Sequence, residues 1–343
     1  MYVFSITCTM SMDIARYSAI FIVVMAATYV SNIYKIRYSK AETDEEYDLI
    51  RTYLLNESPL YGYNKPKLWI HTSYEVNARK WKSFYSRNTT DLNQPYIHLT
   101  VKTIINHCGN DFNICLIDDQ SFSKLLPTWN IQVASMPQPL QSKARALGMA
   151  QLLSVYGGMV VPNSFLCTKN LKDLYEQGIQ QGQPFVIENI NHTELRCPHT
   201  QKRFLFAPNM EFIGCKKECP IMRDLVMFLR KQNSDFFVES ESLFLGETSK
   251  WLLKTIEQQH MRLLGGELVG VKSKHRHVIT LDDLMEETFL ELHPDCFGIW
   301  IPEKDILKRP KYQWFASLSS EEIMNTNSAL SKYLKASIVD SFK

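Results

Sequence analysis

Five polar residues stand at or directly after the ends of short apolar runs in this 343-residue chain, and their side chains can bind a ligand or accept a proton. They are His71, Thr72, Asp118, Asp119 and Glu188. Open α/β sheets bind ligands in the crevice beyond the carboxyl ends of their strands, so these positions are candidates for a ligand site. A carboxylate there can also take a proton from a hydroxyl, and Glu188 is our candidate general base.

Each of these residues also has a structural interpretation. His71 and Thr72 could simply end a strand at 68–71. One or both of the aspartates could cap a predicted short helix at 121–126, because Asp is a favoured N-cap residue. Glu188 could be an exposed loop acid. The sequence leaves these alternatives open.

Two basic residues, Lys143 and Arg145, precede the turn Tyr156-Gly157-Gly158. An anion could be bound there, since a guanidinium can grip phosphate through two parallel hydrogen bonds. The alternative is that both side chains lie on the solvated face of the predicted helix at 139–156.

The turn itself and the residues after it add neutral groups. Gly157 and Gly158 have no side chain, so their backbone N–H groups could approach a phosphate closely. Asn163 and Ser164 follow shortly afterwards, and each could donate one neutral hydrogen bond.

Several functional classes are excluded or disfavoured by composition and motif. The net charge is only +2, without the basic excess typical of nucleic-acid binders. There is no nucleophile elbow, phosphate-binding P-loop, dinucleotide fingerprint or HExxH motif. The eight cysteines are spread along the chain, unlike those of a small disulfide scaffold. A zinc site is conceivable, but its spacing is irregular; its ligands would be Cys197, His199, Cys215 and Cys219.

The predicted elements that position these residues alternate between strand and helix. Apolar runs predict strands at 68–71, 112–117 and 159–161, and apolar residues at helical spacing predict helices between them, at 93–108 and 139–156. This alternation predicts an α/β domain with a mainly parallel sheet. Further strands are predicted at 184–187, 204–206 and 297–301, and further helices at 220–231 and 249–259.

Three segments carry a family resemblance through their order and spacing. They are KPKLWIHTSY (65–74), NICLIDDQSF (113–122) and LLSVYGGMVVPNSFLCTKNLKDLY (152–175). Together they resemble the nucleotide-sugar half of GT-A glycosyltransferases, nearest to the capsular polysaccharide synthesis proteins and related sugar transferases with an Asp-x-Asp motif. FAPNMEFIGCKKECPIMRDLV (206–226) is similar to the family's segment before a proline-capped helix, and RPKYQWFASL (309–318) resembles members encoded by large DNA viruses.

The resemblance implies a GT-A-type, Rossmann-like α/β domain at 65–318 that moves a hexose from a nucleotide-sugar donor to a glycan or glycoprotein acceptor. Within such a domain, Glu188 is our candidate catalytic residue. Our candidates for contacts with the nucleotide-sugar are ten residues: His71, Thr72, Asp118, Asp119, Lys143, Arg145, Gly157, Gly158, Asn163 and Ser164. A non-catalytic protein of the same fold is the alternative, because a fold does not determine a function. A membrane-associated structural protein of a virion is a third possibility, without a motif to support it.

The chain departs from the family at its metal site. There the Asp-x-Asp carboxylates hold Mn²⁺ or Mg²⁺ on the donor diphosphate, whereas this chain has Pro162-Asn163-Ser164. Positions that often hold Asp and Arg before the Tyr are Ala146 and Met149 here. Hard cations prefer charged oxygen ligands, so we expect transfer without the usual metal.

The N-terminal region is predicted to anchor the chain in a membrane. Residues 17–34 lack charge, and a helix of this length covers about 27 Å, enough for a bilayer core. The predicted organisation is a tail at 1–16, a single transmembrane signal anchor at 17–34, a polar stem at 35–64, and a helical tail at 319–343 after the domain. A cleaved signal peptide and a buried helix are alternatives, and the side of the membrane stays open.

Overall fold

The computed structural model describes residues 65–72, 94–126, 128–137, 139–193, 195–196, 200–234 and 240–340. The predicted N-terminal tail, anchor and stem lie outside these ranges. No helix within them combines the length and apolar character that crossing a bilayer requires.

The described chain forms eight strands and ten α-helices, which alternate from β1 to β3. The strands are β1 Lys67–His71, β2 Asn113–Ile117, β3 Gly158–Val160, β4 Phe165–Cys167, β5 Phe185–Ile190, β6 Phe206–Cys215, β7 Arg262–Leu264 and β8 Gly298–Trp300. The helices are α1 Tyr96–Cys108, α2 Ser121–Leu125, α3 Leu140–Tyr156, α4 Lys172–Gly178, α5 Pro220–Ser234, α6 Glu241–Glu257, α7 Leu281–Met285, α8 Glu303–Lys308, α9 Ser320–Asn325 and α10 Ala329–Asp340. The predicted α/β class is confirmed.

The central sheet has six strands in the order β2-β1-β3-β6-β5-β7. β1 pairs in parallel with β2 and β3, and β5 pairs in parallel with β7. β6 runs antiparallel to both of its neighbours, β3 and β5. The sheet is therefore mixed, and the carboxyl ends of its five like-directed strands lie along one edge together with the start of β6.

Two apolar clusters hold helices to the strands. The first includes Trp69 of β1, Leu147 of α3 and Leu225 of α5, all at most 3% exposed. The second includes Leu166 of β4 and Phe315, both fully buried. α9 and α10 contribute apolar side chains to the second cluster, so the predicted helical tail packs as part of the same core. Burying such side chains stabilises the fold by roughly 1.5–3 kcal/mol for each large apolar residue.

The glycine pair between α3 and β3 has a structural role. Gly157 ends α3 at φ +69°, and Gly158 begins β3 at φ +99°. A Cβ atom on Gly158 would lie 2.1 Å from the carbonyl oxygen of Lys67, closer than any real contact. Trp69 donates its indole N–H to the Gly157 carbonyl at 2.9 Å. The glycines therefore allow β3 to enter the sheet tightly beside β1.

Candidate functional site

Three of the residues singled out from the sequence converge in one cluster. His71 is the last residue of β1, Asp119 follows β2 by two residues, and Arg145 lies on the second turn of α3. The Arg145 Nε and Nη2 atoms donate to the two Asp119 carboxylate oxygens, each at 2.8 Å. The Nε2 atom of His71 lies 3.0 Å from Asp119 Oδ1. We call these three side chains the His-Asp-Arg cluster.

The His-Asp-Arg cluster is partly shielded from solvent, with side-chain exposures of 13–19%. Burial by itself would raise the pKa of Asp119, but the hydrogen bonds from Arg145 and His71 hold it well below its usual range. The His71 ring also stacks on Phe122, with centroids 5.8 Å apart and planes 11° apart. The imidazole and guanidinium are thus held in defined orientations.

The His-Asp-Arg cluster keeps hydrogen-bonding atoms free for a ligand. Among the described residues, neither His71 Nδ1 nor Arg145 Nη1 has a hydrogen-bond partner. A guanidinium retains its positive charge when paired, and its remaining N–H groups can reach a phosphate or carboxylate. The cluster can therefore bind an anionic or polar ligand, although Asp119 neutralises much of its charge.

Thr72, next to His71, has a buried hydroxyl without a partner. The residue is 7% exposed, and its backbone N–H extends the β1–β2 pairing by donating to Ile117 O at 2.9 Å. Its Oγ1 atom has no hydrogen-bond partner in the described part of the chain. Such an atom costs about 1–3 kcal/mol, which a ligand's polar group would relieve.

The two neighbouring aspartates do different things. Asp118 Oδ1 accepts hydrogen bonds from the Ser121 backbone N–H at 2.8 Å and from the Ser121 hydroxyl at 2.6 Å. Asp118 thus supports the start of α2, whereas Asp119 joins the His-Asp-Arg cluster. Of the two roles that the sequence left open, Asp118 takes the structural one at the start of α2, and Asp119 lies at the candidate ligand site.

Lys143 and Arg145 do not act together. Two residues along a helix are about 200° apart around its axis, so the two side chains leave α3 in different directions. Lys143 is 1% exposed, and its ammonium group lies 5.5 Å from the centroid of the Phe244 ring. The structure therefore places Lys143 between α3 and α6, away from the cluster and away from solvent.

The glycines and the residues after β3 are separated by the length of the strand. Gly158 is level with Lys67 at the start of β1, about 13 Å along the strands from His71. Backbone N–H groups at Gly157 and Gly158 therefore cannot share a ligand's phosphates with the His-Asp-Arg cluster, a correction to the sequence interpretation. Ser164, beyond the other end of β3, lies at the same edge of the sheet as His71.

Glu188 lies on β5 and is already engaged. Its Oε1 atom accepts from the Gly266 N–H at 2.9 Å and from the Lys272 ammonium in a short ion pair. That ammonium also lies 4.1 Å from the centroid of the Phe206 ring. The Oε1 atom of Glu188 is therefore already committed to contacts within the fold.

A cavity of about 170 Å³ lies at the same edge of the sheet. It is lined by Ser164 and by residues within 189–193, 207–211, 241–249 and 300–308. Among the last is Glu303, at the start of α8; burial and the nearby Glu211 carboxylate raise its pKa to about 7. The sequence interpretation missed Glu303, although it follows a predicted strand at 297–301, as the other candidates follow theirs.

No three His, Cys, Asp or Glu side chains in the described ranges are arranged to hold a metal ion. Of the irregular zinc pattern, Cys197 and His199 lie outside those ranges. Cys215 and Cys219 are buried thiols, and burial raises the pKa of Cys215.

Comparisons with known proteins are weak. No protein-family model and no curated protein matches the chain in sequence. Among solved structures, it is similar to the PaToxG glycosyltransferase, with 11% identity, a TM-score of 0.29, and coverage of 64% of this chain and 80% of that one. It is also similar to the apo form of the glycosyltransferase GlyE from Streptococcus pneumoniae TIGR4, with 12% identity, a TM-score of 0.33, and coverage of 80% and 64%. Likeness at this level carries no argument about activity.

Proposed function

We propose that this protein is a glycosyltransferase of hexosyltransferase type, which binds a nucleotide-sugar donor at the carboxyl edge of the sheet. One observation carries the proposal: residues from three distant segments, His71, Asp119 and Arg145, meet there in one hydrogen-bonded cluster. Ligands of α/β sheets bind at this edge. The acceptor is a glycan or a glycoprotein, as in the family that the sequence resembles.

The cluster supplies the contacts that a donor requires. His71 Nδ1 and the unpartnered Thr72 hydroxyl suit the base or ribose, since both can make directional hydrogen bonds to polar neutral groups. Arg145 Nη1 suits the diphosphate, whose negative charge grows as the bond to the sugar breaks. Asp119 orients both side chains, because it accepts a hydrogen bond from each.

The proposed donor contacts do not include the carboxylates that hold the metal in the resembled family. Pro162-Asn163-Ser164 occupies their place, and neutral oxygens are poor ligands for Mn²⁺ or Mg²⁺. We infer a transfer in which Arg145 and a neutral donor such as Asn163 replace the cation.

The competing proposal is a non-catalytic protein of the same fold. The bidentate pairing of Arg145 with Asp119 favours it, because that pairing reduces the positive field available to a diphosphate. Nucleotide binding separates the two proposals.

The test is calorimetric titration of the full-length protein with UDP and GDP, and with their sugar conjugates, with manganese and with EDTA. We expect at least one nucleotide to bind, and we expect EDTA to change its affinity little. Arg145→Lys should weaken it about tenfold, because Lys cannot make the same fork of hydrogen bonds. Arg230→Lys, an exposed change on α5, is the matched control. If no nucleotide binds, the non-catalytic proposal replaces this one; a tenfold loss with EDTA would show a metal site.

Membrane attachment through residues 17–34 remains part of the proposal, with the protein as a single-pass membrane protein. Alkaline carbonate should leave the full-length protein in the membrane pellet. A protein that washes off would exclude the anchor.

A further inference from the structure

The cavity and the His-Asp-Arg cluster lie at the same edge of the sheet. Ser164 follows β3, residues 189–193 end or follow β5, and residues 207–211 lie near the start of the antiparallel β6. In the strand order, β5 is three positions from β1, which corresponds to about 14 Å at normal strand spacing. A nucleotide-sugar bound at the cluster would have to extend by this distance along the edge for its sugar to reach the cavity.

The walls of the cavity suit a neutral ligand with many hydroxyl groups. Carboxylates, side-chain amides and hydroxyls contribute, and Trp300 adds an aromatic surface. Ser164 is 1% exposed, and within the described ranges its hydroxyl makes no hydrogen bond to another residue. A phosphate is disfavoured, because Lys304 already pairs with Glu241 at 3.1 Å and Glu211 at 3.5 Å. The cavity has room for a small ligand.

Glu303 is the group in the cavity best suited to accept a proton. Its side chain has no ion pair within the described residues, unlike Glu188. Burial and Glu211 raise the pKa of Glu303 to about 7, where a general base works best at neutral pH. The other titratable or charged groups around it are Tyr96, His192, Glu211, Glu241, Lys304, Asp305 and Lys308.

The geometry points to this cavity as the site of the acceptor sugar, with Glu303 rather than Glu188 as the proton acceptor; this inference rests on the proposed glycosyl transfer. The acceptor O–H bond breaks and its proton moves to a Glu303 carboxylate oxygen. The acceptor oxygen then forms the bond to the anomeric carbon of the donor. The bond from that carbon to the diphosphate breaks, and its electron pair leaves with the diphosphate.

The first experiment measures ligand binding in the cavity without a donor. Saturation-transfer NMR of the full-length protein is recorded with the methyl glycosides of glucose, galactose and N-acetylglucosamine. We expect at least one to bind and Glu303→Gln to weaken it by about threefold to tenfold through the changed hydrogen bond. Ser164→Val, which removes the hydroxyl in the cavity, should also weaken it. Glu247→Gln, a change on α6 at a half-exposed residue that does not line the cavity, is the matched control.

The second experiment follows the pH dependence of transfer. With the nucleotide-sugar that binds in calorimetry and the glycoside that binds in NMR, turnover by the wild type should rise between about pH 6 and 8, around the pKa of Glu303. Glu303→Gln should lose this rise, and its kcat should fall at least about a hundredfold. Glu303→Asp should keep a rise in turnover with pH. Glu188→Gln should keep the wild-type pH profile.

The outcomes separate the two proposals. One outcome is that glycoside binding is weakened by the changes at Glu303 and Ser164 while no nucleotide binds. That outcome would support the cavity as a sugar site and contradict the proposed glycosyl transfer. Nucleotide binding without glycoside binding would overturn the acceptor site. A pH profile lost in Glu188→Gln and kept in Glu303→Gln would overturn the choice of base.

Discussion

Truncating Arg145 to Ala should destabilise the protein measurably, because it leaves the Asp119 carboxylate without two of its hydrogen bonds. Breaking a fully buried ion pair by removing one partner costs about 3–5 kcal/mol. The side chains here are 19% and 13% exposed, so solvent recovers part of that loss. We expect Arg145→Ala to lower the free energy of unfolding by about 2 kcal/mol at neutral pH.

Urea unfolding followed by circular dichroism measures this loss, with Arg230→Ala on the surface of α5 as the control at under about 0.5 kcal/mol. A double-mutant cycle with Asp119→Ala should show a coupling energy of about 1–2 kcal/mol. If Arg145→Ala is as neutral as Arg230→Ala, Arg145 points into solvent and the His-Asp-Arg cluster does not exist.

The same pair predicts a pH dependence with a definite sign. The folded-state pKa of Asp119 is below its ordinary value of 3.8, so the pair stabilises the protein above that value. The stabilisation declines as the pH falls through the folded-state pKa. The difference in unfolding free energy between wild type and Arg145→Ala should therefore be constant near neutrality and shrink in strong acid; a difference that grows in acid would contradict the assignment.

Three further changes test other parts of the structure. Gly158→Ala should cost more than about 3 kcal/mol or prevent folding, because its Cβ would meet the Lys67 carbonyl at 2.1 Å; Gly182→Ala, also at positive φ but in open space, should lose only about 1 kcal/mol in urea unfolding. Thr72→Val should leave stability unchanged or raise it by about 1 kcal/mol while weakening nucleotide binding, and a large loss of stability would show that the hydroxyl has a partner. Glu303 has a folded-state pKa raised from 4.5 to about 7, so its contribution to stability is present below pH 4.5 and declines as the pH rises to about 7. Glu303→Gln should therefore be more stable than wild type by up to about 3 kcal/mol above neutral pH, with little difference in acid, by chemical unfolding at both pH values.

Local sequence patterns were sufficient for the alternation of strands and helices from β1 to β3. Apolar periodicity predicted β1, β2, α3 and the helices at 93–108 and 220–231, because each buries one face or both against neighbours. The direction of β6 was not accessible in this way, since apolar periodicity is the same in parallel and antiparallel strands.

The residues of the candidate site were also predicted only in part. His71 and Asp119 were found because residues at strand ends meet at one sheet edge. The pairing of Arg145 with Asp119 was missed, because it depends on how α3 packs beside β2. Lys143 was expected to share the role of Arg145, but the direction in which each side chain leaves the helix depends on which face of α3 is buried.

Residue type, spacing and apolar period by themselves determined the α/β class, the residues at the carboxyl ends of β1 and β2, and that Pro162, Asn163 and Ser164 stand where the resembled family has its acidic pair. These follow from the chain's own local geometry and chemistry. Only the tertiary structure decided that Arg145 is bound to Asp119, that Glu188 is bound to Lys272, and that Glu303 lines a cavity beside Glu211. The partners in these pairs are separated by 26 to 92 residues. Charge and proton affinity depend on burial and on neighbours within a few ångströms, and long-range packing brings such neighbours together.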